Sequence, residues 1–389
     1  MNYDLQDGGI RNQIMSGVRR VVVKVGTRLL MDVKGIEPAQ RIESLVNELI
    51  WLRKQGLDVI LVTSGAIGAA LRVLEKSRRP KKVETLQAYA ALGQCSLMSM
   101  YEEASSKHGV HCAQLLLTAA DLRSLERHQN VARCVEELLA LGLMPVVNEN
   151  DSVCTDQIKV GDNDTLASLV ASMCRADLTV LLTTIDGMRE KCPVTGELGD
   201  RISVVHEIDQ HLLDMAGGTD GNSFSVGGMA TKLHAAATST ACGEPLWIAE
   251  GTDFAVLRKI LACEDVGTVF SAKDKPRMHA RQRFIAFFAE PDGELVVDDG
   301  AVSAIRDKGK SLLPSGVLGM RGVFAPGSVV CIVDSRRREI GRGIVNFGTV
   351  ELSKICGAGT DELPALLGRE PAATEAVHRD FLVITRRMA

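Results

Sequence analysis

Residues 19–27, Arg-Arg-Val-Val-Val-Lys-Val-Gly-Thr, and residues 58–66, Asp-Val-Ile-Leu-Val-Thr-Ser-Gly-Ala, decide the fold class. Each is a run of apolar, mostly β-branched residues that stops in a polar turn containing glycine. Such uninterrupted runs are what strands buried on both faces look like. Between them Ile42, Leu45, Val46, Leu49 and Ile50 recur at helical spacing, which predicts a helix lying on the sheet. The alternation continues with helices expected near Glu84 to Ser106, Leu125 to Leu141, Asn163 to Cys174, Ala230 to Cys242 and Phe254 to Cys263. Further strands are expected at Cys112 to Thr118, Met144 to Asn148, Leu178 to Thr183, Pro245 to Ala249 and Gly267 to Phe270. Strands alternating with helices predict an α/β domain with a three-layer, mainly parallel sheet.

The pattern changes after residue 272. Lys273, Asp274, Lys275, Pro276 and Arg277 open a polar, proline-containing connector to Arg283. Beyond it come short β-rich runs, Phe284 to Phe288, Glu294 to Val297, Ser328 to Val333 and Ile340 to Val345, separated by turns such as Pro291-Asp292-Gly293 and Pro326-Gly327. The expectation is a first domain over 1–272, a linker over 273–283, a small β-barrel-like domain over 284–357 with one helix at Ala301 to Lys308, and a tail over 358–389. Two domains also suit 389 residues, since single cores rarely grow beyond about 250 to 300.

Composition narrows the class. Hydrophobic residues make up 46% and charged residues 24%, so a large core forms without fibrous or disordered bias. Residues 1–17 hold no apolar run of signal-peptide length, and no segment approaches the roughly 20 apolar residues of a spanning helix, so the cytoplasm is the expected compartment and no membrane partner is expected. Ten cysteines are scattered without a Cys-x-x-Cys pair, which disfavours zinc ribbons and redox motifs. Net charge is −4. Residues 276–389 carry 16 Lys plus Arg against 14 Asp plus Glu, too little excess to drive strong phosphate-based binding of nucleic acid.

No Gly-x-x-x-x-Gly-Lys-Ser/Thr loop is present, nor a Gly-x-Gly-x-x-Gly between a strand and a helix. Instead there are five short polar turns: Lys24-Val25-Gly26-Thr27, Thr63-Ser64-Gly65-Ala66, Asn148-Glu149-Asn150-Asp151, Gly161-Asp162-Asn163-Asp164 and Gly227-Gly228-Met229-Ala230-Thr231-Lys232. Ligands of open α/β sheets bind at the carboxyl ends of strands, where several of these turns fall. Glycine lets backbone N–H groups approach phosphate oxygens, and Gly227-Gly228 opens a predicted helix whose N-terminus favours an anion. Lys24 and Lys232 are the lysines inside such turns, and phosphoryl transfer needs cations on the moving group. Asp151, Asp162 and Asp164 carry two readings: helix caps, for which Asp162 is well placed, or groups that hold the lysines, orient Mg²⁺-ATP or meet a substrate amine.

In order and spacing these turns resemble the amino acid kinase family and, within it, the glutamate 5-kinases, from about Arg19 to Asp380. Residues 284–357, with Val297 to Ala301 and Gly309 to Gly316, resemble a PUA domain. The resemblance implies an ATP-dependent kinase that phosphorylates the γ-carboxylate of glutamate, with Mg²⁺ accompanying ATP and no protein-held metal site. It implies Lys24, Lys232, Asp162 and Asp164 as catalytic residues, and Ser64, Gly65, Ala66, Asp151 and Asn163 at the amino acid. On the nucleotide side it implies Lys24, Gly26, Thr27, Thr183, Thr184, Val226, Gly227, Gly228, Met229, Ala230, Thr231 and Lys232. A homo-oligomer and inhibition by proline belong to the same implication. Thr184 stands where the family commonly has Asp, and Ser225-Val226 where it commonly has Gly-Thr. Two rival readings remain: another amino-acid or carbamate kinase of the same fold, and an RNA-binding protein acting through the PUA-like region.

Overall fold

The structure is a computed structural model and describes residues 3–6, 9–33, 35–153, 163–191, 197–216, 228–272 and 277–384. It divides into two compact units, Met1–Leu122 with Glu126–Arg277, and Arg123–Leu125 with Met278–Ala389.

The first unit contains β1 (Tyr3–Asp4), β2 (Arg20–Val25), β3 (Asp58–Val62), β4 (Cys112–Leu117), β5 (Met144–Glu149), β6 (Leu178–Thr183), β7 (Arg189–Lys191), β8 (Leu198–Arg201), β9 (Val204–Val205), β10 (Leu246–Glu250) and β11 (Thr268–Phe270). Nine of these form one sheet in the order β1-β9-β11-β10-β6-β2-β3-β5-β4, while β7 and β8 pair as a separate hairpin. The six strands from β10 to β4 run parallel, and antiparallel pairing is confined to the other end, at β10–β11 and β1–β9. β2 lies at the centre, with Lys24 in register with Val62 on one side and Leu181 on the other.

Side chains alternate across a strand. Val21, Val23 and Val25 pack with Val180, Leu182 and Trp247 against Ile42, Leu45, Val46 and Leu49 of the Pro38–Lys54 helix, as the spacing predicts. Lys24 therefore turns to the opposite face, which is covered by the Asn163–Met173 and Met229–Ala241 helices. In the first of these every residue from Asp164 to Met173 except Thr165 is buried. A third helix, Val83–Ser106, meets the Ala66–Val73 helix backbone to backbone. A Cβ added at Gly93 would stand 1.7 Å from the Ala66 carbonyl oxygen, so that crossing requires glycine.

The second unit is a five-stranded sheet of β12 (Gly293–Val297), β13 (Val317–Gly322), β14 (Val329–Val333), β15 (Glu339–Val345) and β16 (Val377–Ile384), ordered β13-β12-β14-β15-β16. All pairs are antiparallel except β12–β14. Leu295, Val297, Val330, Ile332, Leu352, Ile355 and Val377 build its core. The Asp298 side chain accepts the Ala301 N–H at 2.7 Å and so caps the Asp299–Arg306 helix. Asp334 accepts the Arg336 and Arg338 N–H groups and pairs with the Arg338 guanidinium at 2.7 Å, which organises the Arg336-Arg337-Arg338 run as a turn.

Several features of this unit differ from the sequence expectation, among them β13 and the Thr349–Ile355 helix, neither of which was expected. Phe284–Phe288, expected as a strand, is a π-helical turn in which the Phe284 and Phe288 rings stack with centroids 6.3 Å apart. A short run of continuous apolar residues carries no period, so strand and buried helix read alike. Strand β16 lies beyond residue 357, where a tail was expected, and pairs along β15.

Candidate active site

Strands β2, β3, β5 and β6 end side by side at Val25, Val62, Glu149 and Thr183. The turn after β3, together with the ends of β2 and β5 and the first turns of two helices, brings Lys24, Ser64, Asn148, Asn163, Asp164, Thr231 and Lys232 into one region of the first unit.

Lys24 projects from β2 toward the helices and Asp164 sits in the first turn of the Asn163–Met173 helix. The Lys24 ammonium lies 2.5 Å from Asp164 Oδ1, and Lys232, in the first turn of the Met229–Ala241 helix, donates to Asp164 Oδ2 at 3.0 Å. The single Thr231 hydroxyl hydrogen has two acceptors in reach, the same Asp164 oxygen at 3.2 Å and the Gly228 carbonyl at 2.9 Å. Lys24 and Lys232 are each 5% exposed and Asp164 is fully buried. Burial alone would raise the Asp164 carboxyl, but the Lys24 and Lys232 charges outweigh it and hold the group at about 2. These three side chains therefore carry two positive charges and one negative, a net positive centre largely withdrawn from water. Such a centre is suited to an incoming anion.

A second group joins it through the neighbouring residue. Asn163 Nδ2, with two hydrogens to donate, lies 2.7 Å from the Thr63 carbonyl, 2.6 Å from Ser64 Oγ and 3.1 Å from Asn148 Oδ1. Asn148, 2% exposed, also accepts the Glu149 N–H and donates Nδ2 to Gln94 Oε1 at 2.9 Å. Ser64 leads into Gly65, whose φ of +108° is open to glycine and strained for other residues, and then into Ala66, the first residue of the Ala66–Val73 helix. Asp151 is half-buried in the turn after β5, next to Asn150, whose N–H donates to Leu117.

On the nucleotide side of the expectation, Gly26 and Thr27 start the short Thr27–Met31 helix directly after Lys24. Gly228 is the extended cap of the Met229–Ala241 helix, so Met229, Ala230, Thr231 and Lys232 form its first turn. Thr183 closes β6 half-buried and Thr184 is exposed. Asp186, the carboxylate nearest Thr184 in sequence, pairs with Arg189 at 2.6 Å. Asp162, Val226 and Gly227 lie outside the described residues.

The expectation did not include Gln94 and Tyr101. Tyr101 is fully buried and its hydroxyl shares a hydrogen bond with Thr63 Oγ1 at 2.7 Å; burial pushes the phenol upward. Both residues stand on the buried face of Val83–Ser106, seven apart, so one helix supports the turns after β3 and β5. Polar residues two turns apart on an apolar helix face are the signal that would have marked them.

Residues 19–250 match the amino acid kinase family, and residues 293–367 match the PUA domain. Among relatives, the glutamate 5-kinase of Moorella thermoacetica is 42% identical over 370 residues, covering 95% of this chain and 97% of that protein. The glutamate 5-kinase of Caldanaerobacter subterraneus subsp. tengcongensis is 42% identical over 368 residues, covering 95% and 98%. That of Dictyoglomus turgidum is 39% identical over 374 residues, covering 96% and 99%. Among the described residues, no helix is long and apolar enough to cross a membrane. The chain belongs to the amino acid kinase family, within its glutamate 5-kinase branch, and carries a PUA domain after the kinase domain.

Proposed function

We propose that this kinase transfers the γ-phosphoryl group of ATP to the γ-carboxylate of L-glutamate, giving ADP and γ-glutamyl 5-phosphate, the first step of proline synthesis. The observation that carries the reading is the meeting of Lys24 and Lys232 on buried Asp164 beside the Ser64–Asn163 group. A γ-carboxylate with an ordinary pKa of about 4.3 is ionised at neutral pH, so no general base is required. The obstacle is repulsion between this anion and the triphosphate. In the proposed step a carboxylate oxygen forms a bond to the γ-phosphorus as the bond to the β–γ bridging oxygen breaks, and ADP leaves with that electron pair. Lys24 and Lys232 offset charge on the phosphoryl group in flight, and Asp164 positions both ammonium groups. ATP would enter as its Mg²⁺ complex, with Gly26, Thr27, Thr183, Thr184 and residues 228–232 assigned to the nucleotide; Val226 and Gly227 on the nucleotide side, and Asp162 as a catalytic residue, keep the roles expected of them from the sequence. Ser64, Gly65, Ala66, Asp151 and Asn163 hold glutamate.

Inhibition by proline, assembly into a homo-oligomer and a cytoplasmic setting accompany this reading. So does the division into a kinase domain over 1–272 and a PUA domain over 284–357. The test is ATP- and glutamate-dependent hydroxamate formation by the purified full chain, with and without proline. Turnover confined to carbamate or another carboxylate would replace glutamate as the substrate.

A further inference from the structure

The amide groups of Asn163, Asn148 and Gln94 form a chain whose polarity is set at both ends by the backbone. A backbone carbonyl only accepts, so the Asn163 atom 2.7 Å from the Thr63 oxygen is the NH₂ nitrogen. A backbone N–H only donates, so the Asn148 atom 2.9 Å from the Glu149 nitrogen is the oxygen. The Asn148 NH₂ group must then face Gln94, and the Gln94 atom that meets it at 2.9 Å must be the carbonyl oxygen. The result is directional. Asn163 turns the two hydrogens of its NH₂ group toward three acceptors, on Thr63, Ser64 and Asn148, and its Oδ1 has no protein partner among the described residues.

Resting on the glutamate reading above, we infer that Gln94 is a positioning residue for substrate specificity: by anchoring the Asn148 NH₂ group it holds Asn148 Oδ1 against Asn163 and so reinforces the Thr63 carbonyl in keeping the Asn163 carbonyl oxygen turned toward the substrate, where a donor such as the α-ammonium fits. Gln94 does not touch the reacting atoms in this scheme. It is 7% exposed and sits next to Gly93, the residue that lets its helix reach the Ser64–Ala66 turn. Its Nε2 is buried without a hydrogen-bond partner among the described residues. Leaving such a donor unpaired is costly, whereas its oxygen is engaged by Asn148.

The test compares glutamate with glutarate, which offers the same terminal carboxylate and lacks the amine. Gln94→Met removes the acceptor with little change of volume. It should raise the KM for glutamate about tenfold, leave kcat within about threefold, and lower the glutamate-over-glutarate preference in kcat/KM about tenfold. Gln94→Glu keeps an oxygen facing Asn148 in either protonation state and should retain most of the preference. Tyr101→Phe deletes a different buried hydrogen bond from the same helix; it should lower stability and leave the preference within about twofold.

A wild-type preference in Gln94→Met overturns the inference. So does an equal loss in Gln94→Met and Tyr101→Phe, which would mean general loosening, or loss of the preference in Gln94→Glu. A wild-type chain that phosphorylates neither diacid removes the glutamate reading first and this inference with it.

Discussion

Arg41 and the Lys24–Lys232 pair are buried cations of one unit, and they are partnered in opposite ways. Arg41 donates to the carbonyls of Leu29, Gly251 and Thr252 at 3.0 to 3.1 Å, and its guanidinium carbon lies 4.2 Å from the centre of the Phe254 ring. It joins the end of a helix, a loop and a ring with neutral partners. The partner of Lys24 and Lys232 is a charged carboxylate shared between them, not a set of neutral carbonyls. Under the proposed function, the difference separates a cation that holds the fold from cations held by the fold for a ligand.

The largest expected effect tests that distinction at the lysines. Lys24→Ala and Lys232→Ala should each lower kcat for the proposed reaction about 10³-fold with circular dichroism near wild type and a smaller drop in unfolding midpoint than Asp164→Asn, because one ammonium still partners the buried carboxylate. Turnover within about tenfold of wild type in either variant would return that lysine to the structural class of Arg41. Next comes Asp164→Asn, which removes the carboxylate that the two buried ammonium groups share. Breaking a buried pair in this way costs about 3 to 5 kcal/mol, so urea unfolding should shift markedly and activity should fall with it.

Legibility in the sequence followed the same divide. The glycine-containing turns were readable because a strand end, a glycine and a lysine are adjacent along the chain, as in Lys24-Val25-Gly26. That Lys24 and Lys232 meet on a single carboxylate was not readable from spacing, because it depends on β2 lying between β3 and β6 and on which helices cover that face. Arg41 was hidden inside a helical pattern, where a lone arginine looks like any solvated position. Its partners at Gly251 and Thr252 are some 210 residues away. Gln94 and Tyr101 escaped for the same reason, since a polar side chain within an apolar stripe declares its purpose only when the facing turn is known. In the second unit β13 was missed because Gly319 and Gly322 weaken its pattern at a sheet edge.

Arg41 itself supplies the intermediate effect. Arg41→Met keeps the apolar stem but leaves three backbone carbonyls without their donors and removes the contact with Phe254. A loss of about 2 to 3 kcal/mol is expected in urea unfolding, with kcat at saturating substrates within about twofold of wild type. A kcat loss comparable to that of Lys24→Ala would erase the contrast between the two kinds of cation.

The smallest effect concerns acid. Asp164 has its carboxyl lowered from 3.8 to about 2, burial opposing and the two lysines prevailing. A depressed carboxyl contributes stability that is fully present above its unfolded value and is lost as pH falls through its folded value. Asn in its place does not titrate. The stability advantage of wild type over Asp164→Asn should therefore be constant from neutral pH down to about 4 and shrink between 3.8 and about 2. Taking the difference between the two proteins removes the other carboxylates, which titrate alike in both. An advantage that already declines near pH 6, or grows on acidification, would mean that the lysines do not hold Asp164 ionised, and the proposed net positive centre would lose its counter-charge.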